Sequence, residues 1–429
     1  MMYQMIKQRA LGITGLLLTT LALCSCQSST SEPVSLQSSI NSVQPMTGLV
    51  YWTDNPELET EKGSAARIEF SYLTYAEVVA SNGDFDWQKV DNILTTAASR
   101  GHHVILRFHY TYPGVTTPSV PAFITNQAGY HMREEQVEGQ PTFIPDWSSP
   151  ALQDFTLAFL QAFAQRYNND KRLMLVQLGF GSYAEYHLYE GPLTLGDTFP
   201  SKDFQQTFIN TANSLFTRLQ WAISIDSANT DYSPLQPFAA DTALNFGLFD
   251  DSLMHQTHSE NDQEYNRASW LALGENRYQN SIMGGELNYY SDWDQESALA
   301  LPDGPWGKTF EWFAEQYHLT YVIANDQPEY QDVARLKQAS MSLGYRFAIT
   351  QFECDDSRCD ITVTNQGTAP FYYDAFVCVN QNCAEQSLKM LQPGASLNLQ
   401  LEGLTAPFKL SIESPRLLDG QTIQYEANI

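Results

Sequence analysis

The chain has 429 residues, 43% of them hydrophobic and 13% aromatic, with 23 basic against 49 acidic side chains and a formal charge of −26. That length exceeds one ordinary domain and suits a barrel of roughly 250–300 residues with a smaller partner. The acidic excess excludes nucleic acid as a partner, because binding it depends on basic side chains that neutralise phosphates. It also disfavours highly anionic polymers unless the pocket is locally basic, and it suits the soluble surface of an exported protein.

At the N-terminus Lys7 and Arg9 precede an apolar run from Ala10 to Leu23, too short for a comfortable membrane span and placed as the middle of a secretory signal. The run ends in Leu23-Cys24-Ser25-Cys26, which resembles the lipobox of bacterial lipoproteins. The resemblance implies a signal peptide over 1–25, acylation of Cys26 and attachment to a membrane through that lipid. By similarity to the lipoprotein sorting rule, Gln27 in place of Asp implies the outer membrane of a Gram-negative cell. Residues 26–45 are polar and Ser-rich without periodicity, and read as a flexible tether.

From residue 46 the elements alternate. Gly48–Trp52 is a short apolar strand, and Ala66–Tyr72 a second, with Glu69 facing one side and Ile68 and Phe70 the other. The stretch DFDWQKVDNILTTAASRG is an amphipathic helix, with Val90, Leu94 and Ala97 on its apolar face. His103–Phe108 is the third strand, delivering Arg107 and His109 to its end. Tyr110–Trp147 reads as a long irregular connection rich in Pro, Gly and aromatics, the kind of loop that walls a groove. Ser149-Pro150 opens a helix. Leu173 begins a continuous apolar run suited to a strand buried on both faces, the fourth, which leads to Glu185 with Tyr183, Tyr186 and His187 beside it.

Asp203–Leu219 is helical. Trp221–Ser227 is a fifth strand ending at Asp226, and Leu244–Phe249 a sixth ending at Asp250 and Asp251. After a helix over Glu264–Leu273 comes Ser281–Glu286, the seventh strand. A helix over Lys308–Gln316, an eighth strand Leu319–Ala324 ending at Asn325 and Asp326, and a helix over Tyr330–Leu343 complete the series. Eight strands alternating with helices over residues 46–343 predict an α/β fold, a (β/α)8 TIM-like barrel. No glycine-rich phosphate loop follows any strand, which argues against a nucleotide-binding fold. Over residues 344–429 the period changes to short alternating segments separated by turn residues, the mark of an antiparallel β-sandwich domain. Cys354, Cys359, Cys378 and Cys383 lie there as two C-x4-C pairs. In an exported protein they read as disulfides in preference to a zinc site; the sequence allows three pairings, of which 354 with 359 and 378 with 383, each clipping a hairpin, is favoured.

Glu185 and Glu286 end strands four and seven, which face each other across the mouth of an eight-stranded barrel. Hydrolysis of a glycoside with retention needs one carboxylic acid to protonate the leaving oxygen and one carboxylate about 5 Å away to attack the anomeric carbon. Glu185 is assigned as acid/base and Glu286 as nucleophile, with burial among tyrosines raising the acid's proton affinity and Arg107 or His109 keeping the other ionised. Trp52, Tyr110 and Tyr289 are candidates to stack on sugar faces, and Glu69, Tyr183, His187, Asn288 and Asp326 to bind sugar hydroxyls or line the groove. His255-x-x-His258 is read as a surface loop and not a metal site, and no cofactor or metal is implied.

The segment SYLTYAEVVASNGDFDWQKVDNILTTAASRGHHVILRFHY resembles the second and third strand units of clan A glycoside hydrolases. The wider layout, with GSYAEYH, MGGELNY and GYRFAIT ahead of a sandwich containing NQGTAPFYYDAFV, is similar to a family of bacterial proteins of unknown function that carry such a barrel. The resemblance implies the same roles for Glu185 and Glu286, acting on a poly- or oligosaccharide. One departure stands out: clan A enzymes usually carry Asn directly before the acid/base, and Ala184 is here. That departure supports an alternative expectation, a carbohydrate-binding lipoprotein that keeps the groove without turnover.

Overall fold

A computed structural model describes residues 32–33, 35–235, 244–259, 265–355 and 357–429. The N-terminal segment read as a signal peptide and lipobox, with Cys26, lies outside the described residues. The described helices include none long and apolar enough to cross a membrane.

Eight parallel strands close in chain order into a barrel: β1 (Gly48–Trp52), β2 (Ala66–Thr74), β3 (His103–His109), β4 (Leu173–Gln177), β5 (Gln220–Ser224), β6 (Gly247–Leu253), β7 (Met283–Leu287) and β8 (Tyr321–Ile323). The pleat sets the two faces. Val50, Ile68, Phe70, Ile105, Leu175, Phe249 and Ile323 point inward and form the barrel core, while Leu49, Val104, Leu106, Phe108, Leu248 and Val322 point out against the helices. Each fully buried side chain of this kind contributes roughly 1.5–3 kcal/mol.

The surrounding helices start where the sequence signals them. Helix α1 (Gln88–Ser99) buries Val90, Leu94 and Ala97. Helix α2 (Pro150–Tyr167) carries Pro at its start and is capped by Ser149, whose side chain accepts from the Leu152 amide. Helices α3 (Lys202–Leu215) and α4 (Tyr265–Gly274) follow. The last expected helix divides in two, a single turn over Gln327–Tyr330 and α5 (Val333–Met341) with Asp332 as its N-cap.

Four expectations need correction. The connection after β3 is not irregular throughout, because Arg133–Val137 and Gln140–Ile144 pair as an antiparallel hairpin. Its two-residue turn has Glu138 and Gly139 both at positive φ, as the twist of a tight hairpin demands. The sixth strand runs on to Leu253, so Asp250 and Asp251 sit inside it and face opposite ways. The fifth strand stops at Ser224, and Asp226 lies in a 3-10 turn over Ile225–Ala228. The segment read as a flexible tether packs down from residue 36: Leu36 exchanges backbone hydrogen bonds with Ile429, Gln37–Ser38 pairs with Ala427–Asn428, and Val43 and Gln44 are buried.

Beyond the barrel, β9 (Phe347–Cys354), β10 (Arg358–Asn365) and β13 (Ser396–Glu402) form one antiparallel sheet. A second sheet holds β11 (Phe376–Val379), β12 (Asn382–Cys383) and β14 (Leu410–Glu413). Glu32–Pro33 adds to the edge of the first. Disulfides join Cys354 to Cys359 across β9 and β10, and Cys378 to Cys383 across β11 and β12.

This domain stoppers the N-terminal end of the barrel. Tyr345, Phe371 and Tyr373 belong to the same apolar cluster as the barrel interior. The Tyr373 hydroxyl donates to the Met174 carbonyl, the Arg416 guanidinium to that of Leu173, and His103 Nε2 lies 3.1 Å from the Arg416 carbonyl. All three barrel positions are strand beginnings. The C-terminal mouth, where loops carry chemistry in this architecture, is left open.

Candidate active site

A cleft of about 510 Å³ opens at that mouth, its lining including Trp52, Tyr72, Tyr112, Tyr183, Glu286 and Tyr289. Glu286 projects inward from β7, two residues after Gly284. That glycine is needed for close approach: a Cβ there would lie 2.3 Å from the Tyr321 ring, which fills the barrel axis. The Glu286 carboxylate makes no hydrogen bond or ion pair with any described residue. Burial holds it well above the ordinary carboxylate range, with Asp251, Asp326 and Glu185 adding to the shift and Arg107 opposing it.

Glu185 arrives differently from the expected strand end. Strand β4 stops at Gln177, and the chain then folds into a small hairpin of its own: Ser182 donates its amide to the His187 carbonyl at 2.9 Å, and Gly181 to the Glu185 carbonyl at 2.8 Å. Tyr183 and Ala184 turn this hairpin at φ of 56° and 60°, a left-handed conformation that costs L-residues roughly 1–2 kcal/mol each. Gly179 and Gly181 admit the returning strand. A Cβ at Gly179 would stand 1.7 Å from the Ala184 carbonyl oxygen, and one at Gly181 2.1 Å from that of His187.

The Glu185 side chain is buried, with Oε2 2.7 Å from His187 Nε2 and Oε1 3.4 Å from the Ser224 hydroxyl. Burial pushes its carboxyl up to about 8, Asp251 adding to the rise and the His187 bond opposing it. His187 stacks on Tyr189 at 3.7 Å and stands 3.9 Å from Asp226, which in turn accepts from Tyr265 at 2.6 Å and Ser224 at 3.0 Å. Among the described residues, Glu185, His187 and Asp226 are the group that could hold a metal ion, with ligand atoms within 4.8 Å of one another. Glu185 does not line the cleft; it stands behind that wall, close enough for its charge to act on Glu286.

Beneath both glutamates Arg107 is fully buried, its guanidinium 4.2 Å over Phe249. It forks onto Asp251, with Nη2 2.9 Å from Oδ1 and Nη1 on Oδ2. It also donates to Gln177 at 2.7 Å, the Tyr72 hydroxyl at 2.9 Å and the Tyr183 carbonyl at 3.2 Å. Asp251 is therefore its main counter-ion. His109 is pushed down to about 4 by burial and is neutral at pH 7. His109 is not the expected counter-charge for Glu286, whereas Arg107, though bonded to Asp251, still favours its ionised form.

The other candidates divide by strand parity. Trp52, Tyr183, Tyr289 and Asp326 line the cleft. Glu69 does not: it faces out from β2 and is fully buried under α1, its oxygens bonded to Arg100 at 2.6 and 2.9 Å and to His102 at 2.9 Å. Tyr110 is core, stacked 4.0 Å from Tyr75 and bonded to Thr156. Asn288 is buried behind β7, its side-chain oxygen accepting from the Tyr290 amide at 3.4 Å. His258, read as a surface residue, is fully buried, with Nε2 2.8 Å from Asp250. Sequence reasoning passed over Asp251 and Tyr72 as site residues. The alternation through Phe249-Asp250-Asp251 was the available signal, since an inward Phe249 places Asp251 inward as well.

The fold and this mouth together define a (β/α)8 barrel with an acidic, aromatic-lined cleft. No family model matches the chain, and no curated protein matches it in sequence. Solved structures similar to it include endo-glycoceramidase II from Rhodococcus sp. as its lactosyl-enzyme intermediate, at 13% identity and TM-score 0.43, covering 87% of this chain and 100% of that one. A GH30 endoxylanase from Clostridium papyrosolvens C71 is similar at 11% and 0.40, over 87% and 95% of the two chains. The maltogenic α-amylase AmyB from Thermotoga neapolitana follows at 10% and 0.38, over 85% and 98%. Likenesses this distant say nothing of this chain's chemistry.

Proposed function

We propose that the protein is a lipid-anchored envelope glycoside hydrolase in which Glu185 and Glu286 do the acid–base and nucleophilic work on a saccharide lying in the cleft. The observation that carries this reading is Glu286 itself, a carboxyl without a partner among the described residues, on the floor of an aromatic-lined cleft with a second, proton-holding glutamate within reach of its field. A carboxyl still protonated at neutral pH suits Glu185 to the acid's role, because the leaving oxygen needs a proton in hand. Glu286 is the nucleophile once it loses its proton.

A second reading has an observation of its own. Glu185 is enclosed by His187 and Ser224 and stands off the cleft lining, which fits a groove that binds sugar without turnover. Glu286→Gln separates the two readings. Turnover of a glycan panel is expected to vanish while binding by calorimetry persists. Cleavage undiminished in the variant refutes the assignment, and glycans bound but never cleaved by the native protein establish the binding module.

A further inference from the structure

The charged side chains that line the cleft, Glu286, Asp292 and Asp326, are all acidic. Lys62 reaches the neighbouring loop, but its ammonium is bonded to the Pro328 carbonyl and is not part of the lining. Arg107, below the floor, is matched by Asp251. The rim is acidic too: the Tyr330 phenol is raised by desolvation and then by the charges of Asp292, Glu329, Asp326 and Glu296. Against this charge stand aromatic faces open to solvent, Tyr289 at 50% and Tyr290 at 68% exposure. Acids set among exposed rings attract cations twice over, by ion pairing and through the negative face of each ring.

We infer that the saccharide this cleft takes carries protonated amines, as an oligomer of de-N-acetylated hexosamine does, its ammonium groups meeting Asp292, Asp326 and the tyrosine faces. The inference rests on the saccharide reading above and adds the charge of the substrate. A uronate or sulfated chain would meet carboxylates with its own negative charge. A cationic sugar also answers the need of Glu286: with Arg107 bonded to Asp251 and His109 neutral, a positive charge arriving in the cleft further favours its ionised form.

The test is calorimetric titration of the mature chain at mildly acidic pH with fully de-N-acetylated glucosamine oligomers, their N-acetylated counterparts, neutral cello-oligomers of equal length and oligogalacturonate, with products followed in parallel. Tightest binding is expected for the amine oligomer and none for the uronate. The preference should fall by about tenfold in Asp292→Asn/Asp326→Asn, about 1.4 kcal/mol for the two exposed charges together. It should fall likewise in the native protein near 1 M salt, where the screening length is about 3 Å. Equal affinity for amine and neutral oligomers, or binding of the uronate, overturns the inference. Preferential binding of the amine oligomer without cleavage keeps it and removes the hydrolase reading. Cleavage of neutral oligomers with no preference for amines does the reverse.

Discussion

Glu185→Gln is expected to change the pH dependence of stability more than stability itself. In the folded chain burial lifts the Glu185 carboxyl from 4.5 to about 8, so between those values the native state holds a proton that the unfolded chain has released. Stability is then fully present below 4.5 and falls as pH rises, by about 1.4 kcal/mol per pH unit for one proton, on the order of 5 kcal/mol across the window. His187 acts with the same sign: although burial works against it, the bond to Glu185 holds its pKa above the usual histidine range. Glutamine keeps the shape and a bond to His187 and removes the titrating carboxyl. The variant's stability curve should therefore be much flatter, gaining on the native protein as pH climbs from 4.5 towards 8. Urea unfolding followed by circular dichroism at several pH values in that window measures this as the midpoint difference at constant m. Parallel native and variant curves would refute the buried, proton-holding Glu185.

Three further substitutions probe the parts that hold the site. Asp251→Asn leaves Arg107 buried without its counter-ion, a loss of about 3–5 kcal/mol readable in the urea midpoint. It also removes the charge that most raises Glu185 and Glu286 after burial itself, so both should titrate at lower pH by carboxyl NMR. Gly179→Ala drives a methyl into the Ala184 carbonyl and should abolish ligand binding while the far-ultraviolet spectrum persists. Ala184→Gly, which relieves a φ of 60°, should raise stability by up to about 1 kcal/mol.

Much of the architecture was legible because it is written in period. Strands two, three and seven alternate or run apolar long enough to be placed, and the change of rhythm after Gly344 marks the sandwich. The cysteine spacings gave both disulfides, since a bridge between near neighbours in sequence needs a hairpin and the alternating segments supplied one. What failed was structure whose energy comes from elsewhere. The strand Arg133–Val137 reads REEQV, too charged to announce a sheet, and is held by its partner and a Glu-Gly turn. Residues 36–45 look like a linker because their partners, Gln424, Glu426 and Ile429, lie nearly 400 positions away. Parity settled more of the site than residue type did. Glu69 and Tyr110 are as plausible sugar ligands as any Glu or Tyr, but Ile68 and Phe70 face in, so Glu69 faces out, and the outward Phe108 sends Tyr110 out with it.

The barrel interior poses a charge problem that bears directly on mechanism. Glu185, Asp226, Asp251 and Glu286 crowd one end of it, and the fixed cation among them, Arg107, is already bonded to Asp251. Burial and mutual repulsion therefore favour protons on both glutamates at rest. On the hydrolase reading proposed above, two protonated carboxyls cannot serve as acid and nucleophile at once, so one proton must pass to solvent before chemistry begins. Glu185 is closed off from the cleft, although its bond to His187 works against its proton, whereas Glu286 lines the cleft, where an entering charge reaches it, and has no partner among the described residues. The proton lost is then that of Glu286, and the event that favours its loss is positive charge entering the cleft, supplied by the ligand or developing at an anomeric carbon. On that hydrolase reading, the resting protein is then uncommitted and the ligand itself creates the nucleophile. The pH at which kcat, which reports the enzyme–substrate complex, falls on the acidic side should accordingly be lower for an amine-bearing substrate than for a neutral one of equal length, and coincident limbs for the two would refute that order.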